Sequence, residues 1–177
     1  MKYLYVGASP EVAPEDHRLV AAVVAREFGE GVREITIPAV EFAFDGDRRQ
    51  YGSVGVLEML LRICPADADK FLAVTDRDLF VPVLTFVFGQ AQLGGRVGVV
   101  SLARLRQEFY GFAPNREVFV DRAAKEALHE TGHLFGLVHC AERICAMSLA
   151  TNIRQIDEKR AAYCPACGGR LRRRPRE

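Results

Sequence analysis

No apolar run in this chain approaches the ~20 residues that a bilayer-spanning helix requires, so no contact with a membrane is expected. An excess of charge of one sign is missing too. Basic residues exceed acidic ones by 24 − 23 = 1, which leaves no global field to recruit nucleic acid or an anionic surface. There is no internal repeat and no low-complexity linker. The segment Gly95-Arg96-Val97-Gly98 lacks both the spacing and the lysine of a phosphate loop, so nucleotide binding is not indicated. The opening Met1-Lys2-Tyr3-Leu4-Tyr5-Val6 has no apolar signal region followed by a cleavage site, and no pro-segment is expected before the first strand. The expectation is a reduced, cytoplasmic protein, monomeric and without a latency device. What remains is 177 residues, 49% of them hydrophobic, enough for one sizeable core and a small appendage.

Hydrophobic patterning alternates along the first half. Lys2–Gly7 reads as a strand, and Pro14–Phe28 as an amphipathic helix stopped at Gly29. Val32–Ile37 is a second strand, Ser53–Cys64 a helix cut off by Pro65, and Phe71–Thr75 a third strand. Such alternation implies an α/β fold with a mixed, mostly parallel twisted sheet and crossover helices. Val83–Phe88 and Val97–Ser101 flank Gly94-Gly95-Arg96 as a hairpin-like pair, placing an antiparallel strand at the sheet edge. Asp76 and Asp78 read as turn formers, since calcium needs more oxygens than they offer. Ile153 to about Ala161 is a further helix, with Asn152 and Gln155 spaced as a capping box. Arg170–Arg176 is locally basic and reads as a solvated, disordered tail.

The run from His129 to His139 carries the chemistry. It reads H-E-x-x-H-x-x-G-x-x-H. On a helix, residues four apart share a face, so His129 and His133 aim at one point. Gly136 is suited to the left-handed turn that ends a helix, which brings His139 back as a third ligand. Catalytic zinc takes three protein ligands and keeps one position for water. Glu130, one step round the helix, is placed to take a proton from that water. The apolar positions Val120, Ala124, Ala127, Leu128, Thr131, Leu134 and Phe135 cover roughly a third of the helix at about 100° per residue. His129 and His133 lie near the opposite side.

The cysteines form a second constellation. Cys164-Pro165-Ala166-Cys167-Gly168 has the spacing of a zinc knuckle, and Cys140 with Cys145 supplies the opposing pair. Disulfides are the alternative, and a reducing compartment disfavours them. Cys64, without a partner by spacing, reads as a buried core thiol.

The three-histidine form with Gly136 resembles the metzincin zinc proteases, whose downstream Met-turn would be occupied by Met147. The continuation H-C-x-x-x-x-C-x-M, followed by C-P-x-C-G, resembles the archaemetzincins more narrowly. Asp76-Arg77-Asp78-Leu79-Phe80 and Phe86-Val87-Phe88-Gly89 resemble that family's segment before the active-site helix, so the likeness spans about Phe71 to Arg170. It implies one metzincin-like catalytic domain over 1–177. Residues 1–136 would form an N-terminal subdomain with sheet and active-site helix. Residues 137–170 would form a C-terminal subdomain with Met-turn and structural zinc, and 171–177 a basic tail.

The resemblance further implies two Zn²⁺ per chain, a catalytic ion on His129, His133 and His139 and a structural ion on Cys140, Cys145, Cys164 and Cys167. An edge strand at Val83–Gln90 would pair with an extended substrate. The implied activity is peptide-bond hydrolysis by a zinc-activated water with Glu130 as general base, on short peptides or aminopeptidase-like. Some metzincins carry a tyrosine soon after the Met-turn, whereas Ser148 and Leu149 follow here. The alternative is a non-catalytic zinc-binding interaction module with an idle peptidase centre. Retention of Glu130 argues against it, because an idle metal site needs no base.

Overall fold

Alternate side chains of the central strands are buried on opposite faces, and this dictates a three-layer arrangement. The computed structural model describes residues 2–29 and 31–173. Strand β1 (Tyr3–Ala8), helix α1 (Pro14–Phe28) and strand β2 (Val32–Thr36) open the chain. The short strands β3 (Phe44–Asp45) and β4 (Gln50–Gly52) lead into helix α2 (Ser53–Ile63) and strand β5 (Ala68–Thr75). Strands β6 (Leu79–Phe80), β7 (Gly89–Ala91) and β8 (Val97–Ser101) precede helix α3 (Arg116–Leu134). Two short helices, α4 (Ile153–Glu158) and α5 (Pro165–Arg172), close the described chain.

The main sheet has the order β2-β1-β5-β8-β7. All neighbours are parallel except β7, which runs antiparallel to β8 at the edge, with Gly89 opposite Val100 and Ala91 opposite Gly98. Leu4, Val6, Leu72, Val74 and Val100 face α1 and α3, packing with Val20, Val24, Ala123, Ala127 and Leu128. Tyr5, Phe71, Ala73, Val97 and Val99 face α2, packing with Val56, Leu57 and Leu60. Burial on both faces is what an all-parallel sheet core requires. The expected α/β fold with crossover helices and an antiparallel edge is therefore present.

Several expectations shift. Val83–Phe88 is not a strand. Pro82 occupies the second position of a turn closed by the Leu84 N–H to the Val81 carbonyl at 3.0 Å, and Val83 is 88% exposed. Proline at that position fixes the turn geometry and removes a ladder donor. The edge strand is accordingly Gly89–Ala91, with Val87 contributing one bridge to Leu79. Helix α4 ends at Glu158, short of Ala161, because Lys159 turns inward with extended backbone and becomes buried. Half of the expected capping box is present: Asn152 Oδ1 accepts the Gln155 N–H at 3.1 Å, while Gln155 Oε1 accepts from the Thr151 N–H, one residue before the expected partner.

Asp76 and Asp78 are anchored by arginines. Arg104 donates to both oxygens of Asp78 at 2.6 and 2.8 Å, and Arg106 donates to Asp76. Cys64 is half-buried at the end of α2 rather than fully enclosed. Arg170–Arg172 form the last turn of α5, and Leu171 packs against the cysteine cluster. The remaining tail residues, Arg174 to Arg176, lie outside the described residues. Among the described residues no helix is long and apolar enough to cross a membrane.

Candidate active site

Helix α3 was expected to bury one stripe and turn its histidines outward, yet every residue from Arg122 to Gly132 is buried. The reason is the chain beyond Leu134, which folds back over the opposite side of the helix. Two hydrogen bonds and one left-handed residue fix that return. The Gly136 N–H reaches the His133 carbonyl at 2.8 Å, the Leu137 N–H reaches the Gly132 carbonyl at 2.9 Å, and Gly136 has φ 81°. This is the paired C-terminal cap that needs a left-handed residue, and glycine takes that conformation without strain. The chain then runs directly through His139 and Cys140.

The three histidine donor nitrogens lie within 4.8 Å of one another. His129 Nδ1 meets the Ala146 carbonyl at 2.8 Å and His133 Nδ1 meets the Leu137 carbonyl at 2.7 Å. A carbonyl only accepts, so each Nδ1 carries the proton and each Nε2 presents a lone pair. Those two Nε2 atoms stand 3.1 Å apart, lone pair toward lone pair. Such an arrangement suits a shared cation. Tetrahedral zinc with Zn–N of about 2.0–2.1 Å would separate its nitrogens by about 3.3 Å. The His139 ring completes the set, with centroids 5.4 and 4.9 Å from those of His129 and His133. Burial holds all three imidazoles below their ordinary pKa, His129 well below, and Lys159 adds repulsion. Neutral imidazole is the ligating form.

Glu130 is buried beside the histidines, and its Oε2 has no hydrogen-bond partner among the described residues. Burial raises its pKa well above the usual carboxylate value, repulsion from Glu126 adds to this, and Lys159 opposes both. Its room is made by Gly89 on the edge strand. A Cβ there would lie 2.6 Å from Glu130 Cγ and Oε1. Beneath the helix, Met147 is wholly buried against Gly132, where a Cβ would overlap its sulfur. Tyr163 donates its hydroxyl to the Leu128 carbonyl at 2.6 Å, so that tyrosine supports the helix from behind.

The four cysteines also converge. Their sulfurs lie within 4.8 Å of one another, with Cys140 and Cys164 3.8 Å apart. Four thiolates on zinc at Zn–S of about 2.3 Å would stand about 3.8 Å apart, so the cluster has the dimensions of a closed structural site. Cys145 Sγ accepts the N–H groups of Met147 and Cys164 at 3.4 and 3.3 Å. The Cys164 thiol is lowered to about 7, first by a backbone hydrogen bond from Cys167, whereas burial pushes Cys167 upward. The expected site residues thus gather into two groups. A cleft of about 450 Å³ opens onto the histidine group, walled by Phe88, Gly89, Gln90 and Leu149.

Sequence reasoning did not single out Glu126, Lys159, Gly89 or Gly132. Glu126 was detectable in principle, four residues before Glu130 on the same helix face. Lys159 carried no local signal, since it enters the site only through the return of the chain.

Comparison with known proteins agrees with the geometry. Residues 34–173 match the model of peptidase family M54. The chain is 42% identical over 154 residues to the archaemetzincin of Methanocaldococcus jannaschii, covering 84% of this chain and 83% of that protein. It is 36% identical over 162 residues to that of Haloarcula marismortui, covering 84% and 91%. The crystal structure of Methanopyrus kandleri archaemetzincin superposes with TM-score 0.84 at 33% identity over 97% of this chain and 94% of that one. A zinc-dependent peptidase from Methanocorpusculum labreanum gives TM-score 0.84 at 33% identity over 95% and 99%. The chain therefore belongs to the archaemetzincins, peptidase family M54, and is a zinc metallopeptidase.

Proposed function

We propose that this peptidase cleaves short peptides in the cleft beside the histidine triad, with Glu130 as the general base. His129, His133 and His139 would hold the catalytic zinc, and the carbonyls of Ala146 and Leu137 keep the first two rings aimed at it. Cys140, Cys145, Cys164 and Cys167 would hold a structural zinc that ties down the returning segment. Zinc at the triad supplies Lewis acidity, which acidifies water and polarises a carbonyl.

The protein's own groups do the rest. The outer edge of β7 lies at the sheet boundary and lines the cleft, so its backbone is free to align an extended peptide. Glu130 accepts the proton of the attacking water and returns it to the departing amine. Burial suits it to both tasks by raising its proton affinity well above that of an ordinary carboxylate. Met147, packed under Gly132, sets the floor on which the histidines rest.

The observation that carries this reading is the unpartnered, buried Glu130 oxygen beside three converging imidazoles. A module that only bound zinc would have no use for it. Digestion of a mixed peptide library by zinc-loaded protein tests the proposal, with cleavage abolished by chelation and restored by zinc. Absence of any cleavage by protein carrying both ions would favour an interaction module instead.

A further inference from the structure

The cleft does not stop at the histidines. Glu126 stands one turn before Glu130 on α3, about 6 Å along the axis at ~1.5 Å per residue. It lines the same cleft together with Lys159, Leu149, Ala150 and Thr151. Lys159 Nζ donates to Glu126 Oε1 at 3.2 Å, with the two side chains only 1% and 3% exposed. A buried ion pair often adds no net stability over apolar residues of similar volume. Its position in the wall of a substrate cleft therefore invites a role in recognition.

Both head groups hold unused bonding capacity. An ammonium has three donors and a carboxylate about four acceptor sites. One hydrogen bond, to each other, is all that either head group makes to protein among the described residues. The end of the cleft thus offers donors and acceptors side by side, within a neutral pair. A substrate side chain that meets both must carry an acceptor and a donor on adjacent atoms.

We infer that Lys159 and Glu126 form a specificity subsite for a side-chain carboxamide, asparagine or glutamine, on a residue flanking the scissile bond. The amide oxygen accepts from Lys159 and the amide nitrogen donates to Glu126. A carboxylate in that place gains Lys159 but meets Glu126, with Glu130 one turn beyond. A cationic side chain gains Glu126 but meets Lys159. An apolar side chain covers the pair and leaves its remaining donors and acceptors unmet, the situation that hydrogen-bonding sites reject most strongly. The position relative to the scissile bond rests on the peptidase reading above. The pair and its complementarity do not.

Two measurements on matched peptides, varied only at the residues flanking the cleavage point among Gln, Asn, Leu, Glu and Lys, test this. The first is turnover by zinc-loaded protein. The second is equilibrium binding to the zinc-loaded Glu130→Gln protein. Both are repeated with Glu126→Leu/Lys159→Met, which replaces the pair by apolar residues of similar volume and avoids a lone buried charge. Circular dichroism establishes that this double variant is folded.

The amide peptides should lead the others by at least about tenfold in both measurements, and the double variant should reverse the order toward Leu. Amide-selective binding without turnover of any peptide would uphold the subsite and refute the peptidase reading. Turnover or binding with no amide preference, or an amide preference surviving in the folded double variant, would overturn the subsite. Should the double variant not fold, Lys159→Met alone in folded protein must abolish the preference, and its persistence there would likewise overturn the proposal.

Discussion

Gly132 lies inside the zinc-binding signature but contributes no ligand, and its lack of a side chain is what lets Met147 rest under the helix. A Cβ there would overlap the methionine sulfur and stand 3.2 Å from the Tyr163 hydroxyl. In an exposed helix, glycine to alanine stabilises by roughly 1 kcal/mol. Here overpacking should reverse the sign, so Gly132→Ala is expected to destabilise by about 1–3 kcal/mol. Thermal unfolding of the zinc-loaded protein checks this, and a raised melting temperature would show that Met147 moves aside freely. Gly89→Ala should act differently. The new methyl meets Glu130 and the Val99 carbonyl of β8, so the edge strand must shift and peptide turnover should drop while zinc content at the histidines stays that of the parent. The histidines, Glu130 and all four cysteines were legible in the sequence because spacing alone places them. Gly89 was not, since its contact with Glu130 joins an edge strand to a helix about forty residues later.

Among the elements, the long periodic ones were readable and the short ones were not. Strands β1 and β8 and helices α1 and α2 emerged close to their observed bounds from hydrophobic period and from Pro14, Gly29 and Pro65. Strands β3, β4 and β6 span only two or three residues, too few to show any period. The apolar run Val83–Phe88 imitated a strand because its composition is β-like, and Pro82 outweighed that by setting a turn. The return after α3 is held instead by isolated contacts, such as the Cys140 N–H to the Met147 carbonyl at 2.9 Å.

That return places the two candidate metal-binding groups side by side in the chain. His139 and Cys140 are adjacent, and the Leu137 carbonyl already orients His133. Cys164→Ser combined with Cys167→Ser should therefore weaken zinc binding at the histidines by ~10–100-fold, although neither cysteine belongs to that group. A chelator titration of folded double variant against parent measures it. Equal affinities would reduce the cysteine cluster to a local staple for α5.

For the molecule as a whole, a mostly parallel sheet packed between helices provides one rim of the cleft, and the returning segment, through His139, Leu149, Ala150 and Thr151, lines it as well. Four thiolates would enclose their ion, whereas three imidazoles leave one position open to exchange. Elemental analysis should find up to two zinc per chain, with mild chelation removing the histidine-held ion first. Simultaneous loss of both would contradict that division.

The role proposed for Glu130, placed against Gly89 and unpartnered at one oxygen among the described residues, is to move the proton in peptide hydrolysis. Its most direct test is the Glu130→Gln protein, which keeps the side chain's shape and removes the base. Zinc content and thermal unfolding should match the parent, while turnover of the best library peptide falls ~10²–10⁴-fold. Hydrolysis at the parent rate in a folded, zinc-loaded Glu130→Gln protein would contradict the claim and place the proton transfer on another group.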